Sequence, residues 1–198
     1  TPDAATKVVF TTQPSASTVA GVAFAVQPVV TIQDQYGNTV NSTANVALKL
    51  TTGTGTLGGT TNMSAVAGVA NFVGLGLNIN LIGADKVLTA GATGLTTDTT
   101  GAFTITPDAA TKVVFTTQPS ASTVAGVAFA VQPVVTIQDQ YGNTVNSTAN
   151  VALKLTTGTG TLGGTTNMSA VAGVANFVGL GLNINLIGAN KVLTAGAT

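Results

Sequence analysis

The sequence predicts an all-β protein made of two antiparallel β-sandwich domains in tandem. Three observations carry the prediction. Apolar and polar residues alternate in short runs. Those runs are rich in β-branched and aromatic residues and are bounded by Gly, Pro, Asn or Thr clusters. The whole pattern also occurs twice: residues 1–93 match residues 106–198 at a shift of 105, and the single difference is Asp85 against Asn190. A period of 105 is too long for a solenoid unit of about 20–50 residues and has the size of a small domain. The expected domains are therefore residues 1–105 and residues 106–198, the second without a counterpart of residues 94–105.

Taken in order, the first repeat opens with "KVVF" from Lys7 and passes a weaker candidate strand at residues 22–25. "PVVTIQ" follows from Pro28, aiming Val30 and Ile32 at the core. "NVALKLT" then puts Val46, Leu48 and Leu50 on one face and Ala47, Lys49 and Thr51 on the other, the period-2 alternation of a half-buried strand. "VANFVGL" from Val69, "KVLTAG" from Lys86 and "GAFTIT" from Gly101 complete the set. No stretch sustains helical spacing with a cap. About seven strands per repeat suit an immunoglobulin-like sandwich.

Between two of these strands lies "QDQYGNTV" from Gln33, whose Asp, Gly and Asn tolerate tight turns and φ > 0. Asp34 is expected to cap that turn with its carboxylate, and Tyr36 to cover the end of the core. A calcium site there is disfavoured, because calcium takes six to eight oxygens, usually from several carboxylates.

Composition removes whole classes of function. The chain has six Lys and six Asp, no Arg, Glu, His, Cys or Trp, and a net charge of zero. Neutrality leaves no basic footprint for nucleic acid or anionic lipid. Without cysteine there is no disulfide scaffold and no thiolate zinc site, which leaves an extracellular home open. Residues 50–84 carry no charge, but Thr, Asn and Gly interrupt them, and the best apolar run, residues 66–77, is too short to span a bilayer. No membrane insertion is expected in this segment, and no signal peptide is legible at Thr1.

Without His or Cys, neither a Ser-His-Asp triad nor a Cys-imidazole pair can be assembled. No spacing supports a Ser/Lys pair or two carboxylates, and Asp85 is not retained in the second copy. "GTGTLGG" at residues 53–59 lacks the Gly-Lys-Ser/Thr ending of a phosphate loop and reads as a strand connection. No enzymatic activity, cofactor or metal is expected.

The succession "KVVFTTQPSASTVAGVAFAVQPVVTIQDQYGNTV", "VALKLTTGTGTLGG", "GVANFVGLGL" and "KVLTAGATG" resembles the bacterial Ig-like repeats (Big domains) of large prokaryotic surface proteins, the invasin and intimin type among them. The resemblance covers essentially the whole repeat. It implies an immunoglobulin-like fold, an extracellular cell-surface address, and service as a stalk, fibre or filament whose partners are adjacent repeats or other copies of itself. Two alternatives are an adhesin repeat binding a carbohydrate or host protein, and a spacer module of a secreted enzyme.

Some Gram-positive surface domains of this shape carry an internal amide bond, in which a desolvated Lys attacks an Asn or Asp beside a protonated acid. Lys7, Asp34 and Asp85 in the first repeat, and Lys112, Asp139 and Asn190 in the second, are the candidates, while Lys86 and Lys191 read as solvated turn residues. The sequons at Asn41, Asn62, Asn146 and Asn167 point to exposed loops if the source glycosylates.

"TPDAATKVVF" follows "GAFTI" with almost no linker, so neighbouring domains are expected to sit end to end. If "GAFTI" is the last strand of its sandwich, the second domain is expected to expose an edge, which sheets rarely leave open. Excision from a longer array accounts for this most simply. The alternative is strand donation from a neighbouring chain by β-augmentation.

Overall fold

The computed structural model describes residues 1–198, which divide into two compact units, Thr1–Asp108 and Ala109–Thr198. Both contain strands and no helix. The first unit holds β1 (Lys7–Thr12), β2 (Ser17–Val19), β3 (Val29–Gln33), β4 (Asn45–Thr52), β5 (Leu57–Gly58), β6 (Asn62–Ser64), β7 (Val69–Asn71), β8 (Asn78–Ile79), β9 (Gly83–Gly91), β10 (Asp98–Thr99) and β11 (Phe103–Thr106). One sheet runs β1-β3-β7, a larger one runs β2-β11-β9-β4-β6 with β10 also on β9, and β5 pairs with β8. The β11–β2 pair is parallel; the other strand pairs are antiparallel.

A single apolar cluster draws on both main sheets: Val8, Phe10, Val30, Ile32 and Ala70 from one, and Val46, Leu48, Leu88, Ala90, Phe103 and Ile105 from the other. On β4 the expected alternation holds, with Val46 and Leu48 buried and Lys49 and Thr51 exposed. Val30 and Ile32 of β3 are fully buried.

Some expectations fail locally. Residues 22–25 form no strand, and β2 lies upstream instead. The Phe24 region is fixed by cross-connections, not by a ladder: Phe24 N–H donates to the Leu77 carbonyl (2.9 Å) and Gly21 N–H to the Ile79 carbonyl (2.9 Å). Gln27, itself buried, donates to the carbonyls of Phe24 (2.9 Å) and Leu77 (3.2 Å) and accepts from Leu77 N–H (3.1 Å). The "VANFVGL" strand stops at Asn71, whose Oδ1 accepts from Val73 N–H (3.0 Å); the chain turns there, leaving Phe72 buried and Val73 exposed.

The second unit repeats much of this plan with β12 (Lys112–Thr117), β13 (Val134–Gln138), β14 (Asn150–Thr157), β15 (Leu162–Gly163), β16 (Asn167–Ser169), β17 (Val174–Asn176), β18 (Asn183–Ile184) and β19 (Val192–Ala197). Its sheets run β12-β13-β17, β16-β14-β19 and β15-β18. Registers are retained where both partners exist: Lys112 faces Gln138 as Lys7 faces Gln33. The differences cluster at one place. Nothing corresponds to β2, β10 or β11, and β19 begins at Val192, whereas β9 begins at Gly83, the counterpart of residue 188.

No helix is long and apolar enough to cross a membrane.

Candidate functional sites

Asp34, the first residue singled out by the sequence, is fully buried and ties its own turn to the N-terminal segment. Its Oδ1 accepts from the backbone N–H of Tyr36 (3.0 Å) and Asn38 (2.9 Å). Its Oδ2 accepts from the Asn38 side-chain amide (2.9 Å) and from Asp3 N–H (3.0 Å). The Asn38 side chain, followed by these backbone N–H groups, holds the carboxyl at about 2 against desolvation, which pushes the other way. Asp139 accepts in the same manner from Tyr141 N–H (2.9 Å), Asn143 N–H (2.9 Å) and the Asn143 amide (2.8 Å). The expected cap is present. Tyr36 does not cover the core, however: it is 77% exposed, because the carboxylate ties the loop backbone inward and turns its side chain out.

Lys86 departs most from its expected role. It is 1% exposed, not solvated. Register explains the burial, since Phe103 of β11 lies opposite Lys86 on β9. The aliphatic stem runs close past Gly53, where an added Cβ would stand 2.6 Å from Lys86 Cδ, and the ammonium donates to the Thr54 carbonyl. Burial pushes its pKa down. In the second unit Lys191 makes the corresponding bond to the Thr159 carbonyl but is only half-buried.

The cross-link candidates Lys7, Asp34 and Asp85 lie on different elements, with Lys7 opposite Gln33, the neighbour of Asp34. Lys7 is half-buried at the start of β1, and Lys112 is exposed, donating to the Gln140 carbonyl (3.3 Å). Asp34 is an ionised acceptor, whereas amide formation asks for a protonated acid. Asp85 and Asn190 are exposed and adopt left-handed backbone, with φ of 68° and 58°. Among residues other than glycine, Asp and Asn tolerate that conformation best. The one difference between the repeats therefore falls where the two residue types are interchangeable.

All four sequon asparagines are exposed. Asn41 and Asn146 lie outside strands, as expected, but Asn62 and Asn167 sit on β6 and β16, because each of these short segments is held on its sheet by the neighbouring long strand. In residues 53–59, Leu57 and Gly58 pair with β8, and Thr56 N–H donates to Asn80 Oδ1 (2.8 Å), so this backbone is engaged within the fold.

The surface also carries concavities. A shallow one of about 640 Å³ lies on the first unit beside Lys49, Thr51, Thr89 and Thr97. A larger groove of about 790 Å³ opens in the second unit between residues 118–125 and residues 184–193. Sequence reading anticipated an open edge there, but not the buried Lys86, whose environment is supplied by segments distant in sequence. Compared with family models, curated proteins and solved structures, the chain matches none.

Proposed function

We propose that this chain is an extracellular structural repeat protein, its units immunoglobulin-like β-sandwiches that serve as segments of a stalk, fibre or filament on a prokaryotic surface. The observation that carries the reading is that the copied polar residues do the same structural work twice. Asp34 and Asp139 tie identical turns through identical donor types. The one change between copies, Asp85 to Asn190, preserves a backbone conformation. Such duplication lengthens an array by one module per copy, whereas it adds nothing to the chemistry of a single site.

Immunogold electron microscopy of native cells, with antibody raised against this chain, tests the reading. Label on surface rods or filaments with an axial repeat of one or two domains is expected; label confined to the cell interior overturns it. Mechanical extension of the chain should give two unfolding events, each releasing on the order of 300 Å at about 3.3–3.6 Å per residue.

The Thr-lined concavity beside Lys49 favours a second reading, an adhesin repeat that hydrogen-bonds carbohydrate hydroxyls. Glycan binding lost on Lys49→Ala would support it.

A further inference from the structure

On the outer face of β4 and β9 the register sets two of the smallest residues side by side: Ala47 lies opposite Gly91, and the next outward pair is Lys49 opposite Thr89. Successive side chains of a strand point to opposite faces, so Val46, Leu48, Leu88 and Ala90 are buried beneath this face, while Ala47, Lys49, Thr51, Thr89 and Gly91 line it. A methyl group beside a bare Cα lets the surface dip to the backbone. Thr97, just before β10, walls the dip: a Cβ added at Gly91 would stand 3.4 Å from its Cγ2. The result is the concavity of about 640 Å³ described above, of the size usual for small-ligand sites.

Its polar groups are of two kinds. The Thr51 and Thr89 hydroxyls bond one another (2.8 Å), and Thr51 Oγ1 donates to the Val87 carbonyl (3.3 Å). With the Thr51 hydrogen so placed, Thr89 is the donor between the two hydroxyls, and the oxygen lone pairs left over are acceptors. Lys49 supplies the opposite, an ammonium with three N–H donors and no acceptor. It is exposed, it is the one charged residue of the lining, and no carboxylate lines the concavity with it. Asp98, next to Thr97 in sequence, is turned away to accept from Phe10 N–H (2.9 Å). The second unit repeats the floor of the site: Ala152 faces Gly196, Lys154 faces Thr194, and the Thr156 and Thr194 hydroxyls stand 2.6 Å apart.

We propose that this concavity binds an acidic saccharide, with its carboxylate or sulfate group on the Lys49 ammonium and its ring hydroxyls on the threonines. A neutral sugar would leave the one charge of the site without a counter-charge. A bare inorganic anion would face the Thr51 and Thr89 oxygens acceptor to acceptor. A saccharide acid matches both sets, since its hydroxyls donate to the threonines and its anionic group accepts charge-assisted bonds from Lys49. The dip at Ala47 and Gly91 admits the face of a sugar ring close to the sheet. The inference rests on the adhesin reading above and names the class of ligand.

A panel of uronate-bearing and sulfate-bearing oligosaccharides, each paired with its carboxyl-reduced or desulfated form, tests it against the full 198-residue chain and against a chain carrying both Lys49→Gln and Lys154→Gln. Acidic members should bind and their neutral partners should bind about tenfold more weakly; the double variant should lose about the same factor on the acidic members alone. Binding should also weaken as salt is raised. Whichever set binds, uronate or sulfate, identifies the source of the charge. Both lysines are exposed, so the variant should melt with the parent, which separates lost binding from lost folding. Equal binding of acidic and neutral partners, or acidic binding that survives the double variant, overturns the inference and leaves the adhesin reading standing. Absence of binding to every member, acidic and neutral, overturns both.

Discussion

Phe103→Ala probes how much of a unit's stability resides in its closing strand. Phe103 is 3% exposed, packs edge to face on Phe24 and lies opposite Lys86 on β9. Truncating a buried Phe to Ala removes its transfer free energy and leaves a cavity, typically about 3–5 kcal/mol, including the lost aromatic contact. For a unit of this size, at about 4 °C per kcal/mol, the melting midpoint of Thr1–Asp108 should fall by about 12–20 °C. Scanning calorimetry of the whole chain is the assay. Because each unit carries its own apolar cluster, two transitions are expected, and the one belonging to Ala109–Thr198 should stay in place. Phe103→Leu, which retains most of the volume, should cost about 1.5 kcal/mol or less. A loss below about 1 kcal/mol for the Ala variant, or equal movement of both transitions, would refute the placement of Phe103 in the cooperative core of the first unit alone.

Other expected outcomes are as follows. Asp34 is held at about 2 in the fold against its ordinary 3.8, so its contribution is fully present above pH 3.8 and is lost as pH falls towards 2. Asp34→Asn should therefore be less stable than the parent at pH 7, and urea midpoints should converge in that acid window; a gap that is independent of pH would contradict the assignment. Lys86 shares that sign of slope, but its buried charge costs stability at neutral pH. Burial lowers its folded pKa, the unfolded chain binds more protons, and stability from this group rises with pH through the folded pKa up to 10.5. Lys86→Met should remove that alkaline rise in a pH series of melts, and an unchanged slope would count against a desolvated ammonium. The Ala67-Gly68 hairpin turn, closed by reciprocal Val66–Val69 bonds of 2.9 and 3.0 Å, has φ of 50° and 82°. Relief of non-glycine strain should make Ala67→Gly more stable by about 1 kcal/mol. Gly68→Ala should be severely destabilising, because its Cβ would stand 2.1 Å from the Val40 carbonyl oxygen. Chemical denaturation of the two variants gives the comparison, and equal effects would contradict the turn geometry.

The main strands were legible because their period is local. On β4 the order Val46, Ala47, Leu48, Lys49 states which face is buried before any partner is known. The Asp34 turn was legible for the same reason: an Asp followed by Gly and Asn can satisfy its own backbone within four residues. Tyr36 was misplaced because local chemistry says that a turn forms, not which way its tip points. Lys86 was misread because its neighbours Asp85 and Gly83 suggest a solvated turn, whereas its burial comes from residues 53–54 and Phe103.

The sequence by itself determined the all-β class, the alternation of the long strands, the repeat of 105 and the conformation of the Asp34 turn, all consequences of contacts within a few residues. Only the tertiary structure decided the rest, and Ser-Thr-Val shows why. It is strand β2 at Ser17–Val19, where β11 supplies a ladder, and irregular chain at residues 122–124, where the same three residues have no such strand beside them. A strand is half of a hydrogen-bonded pair, so its existence depends on a partner that its own residues do not encode.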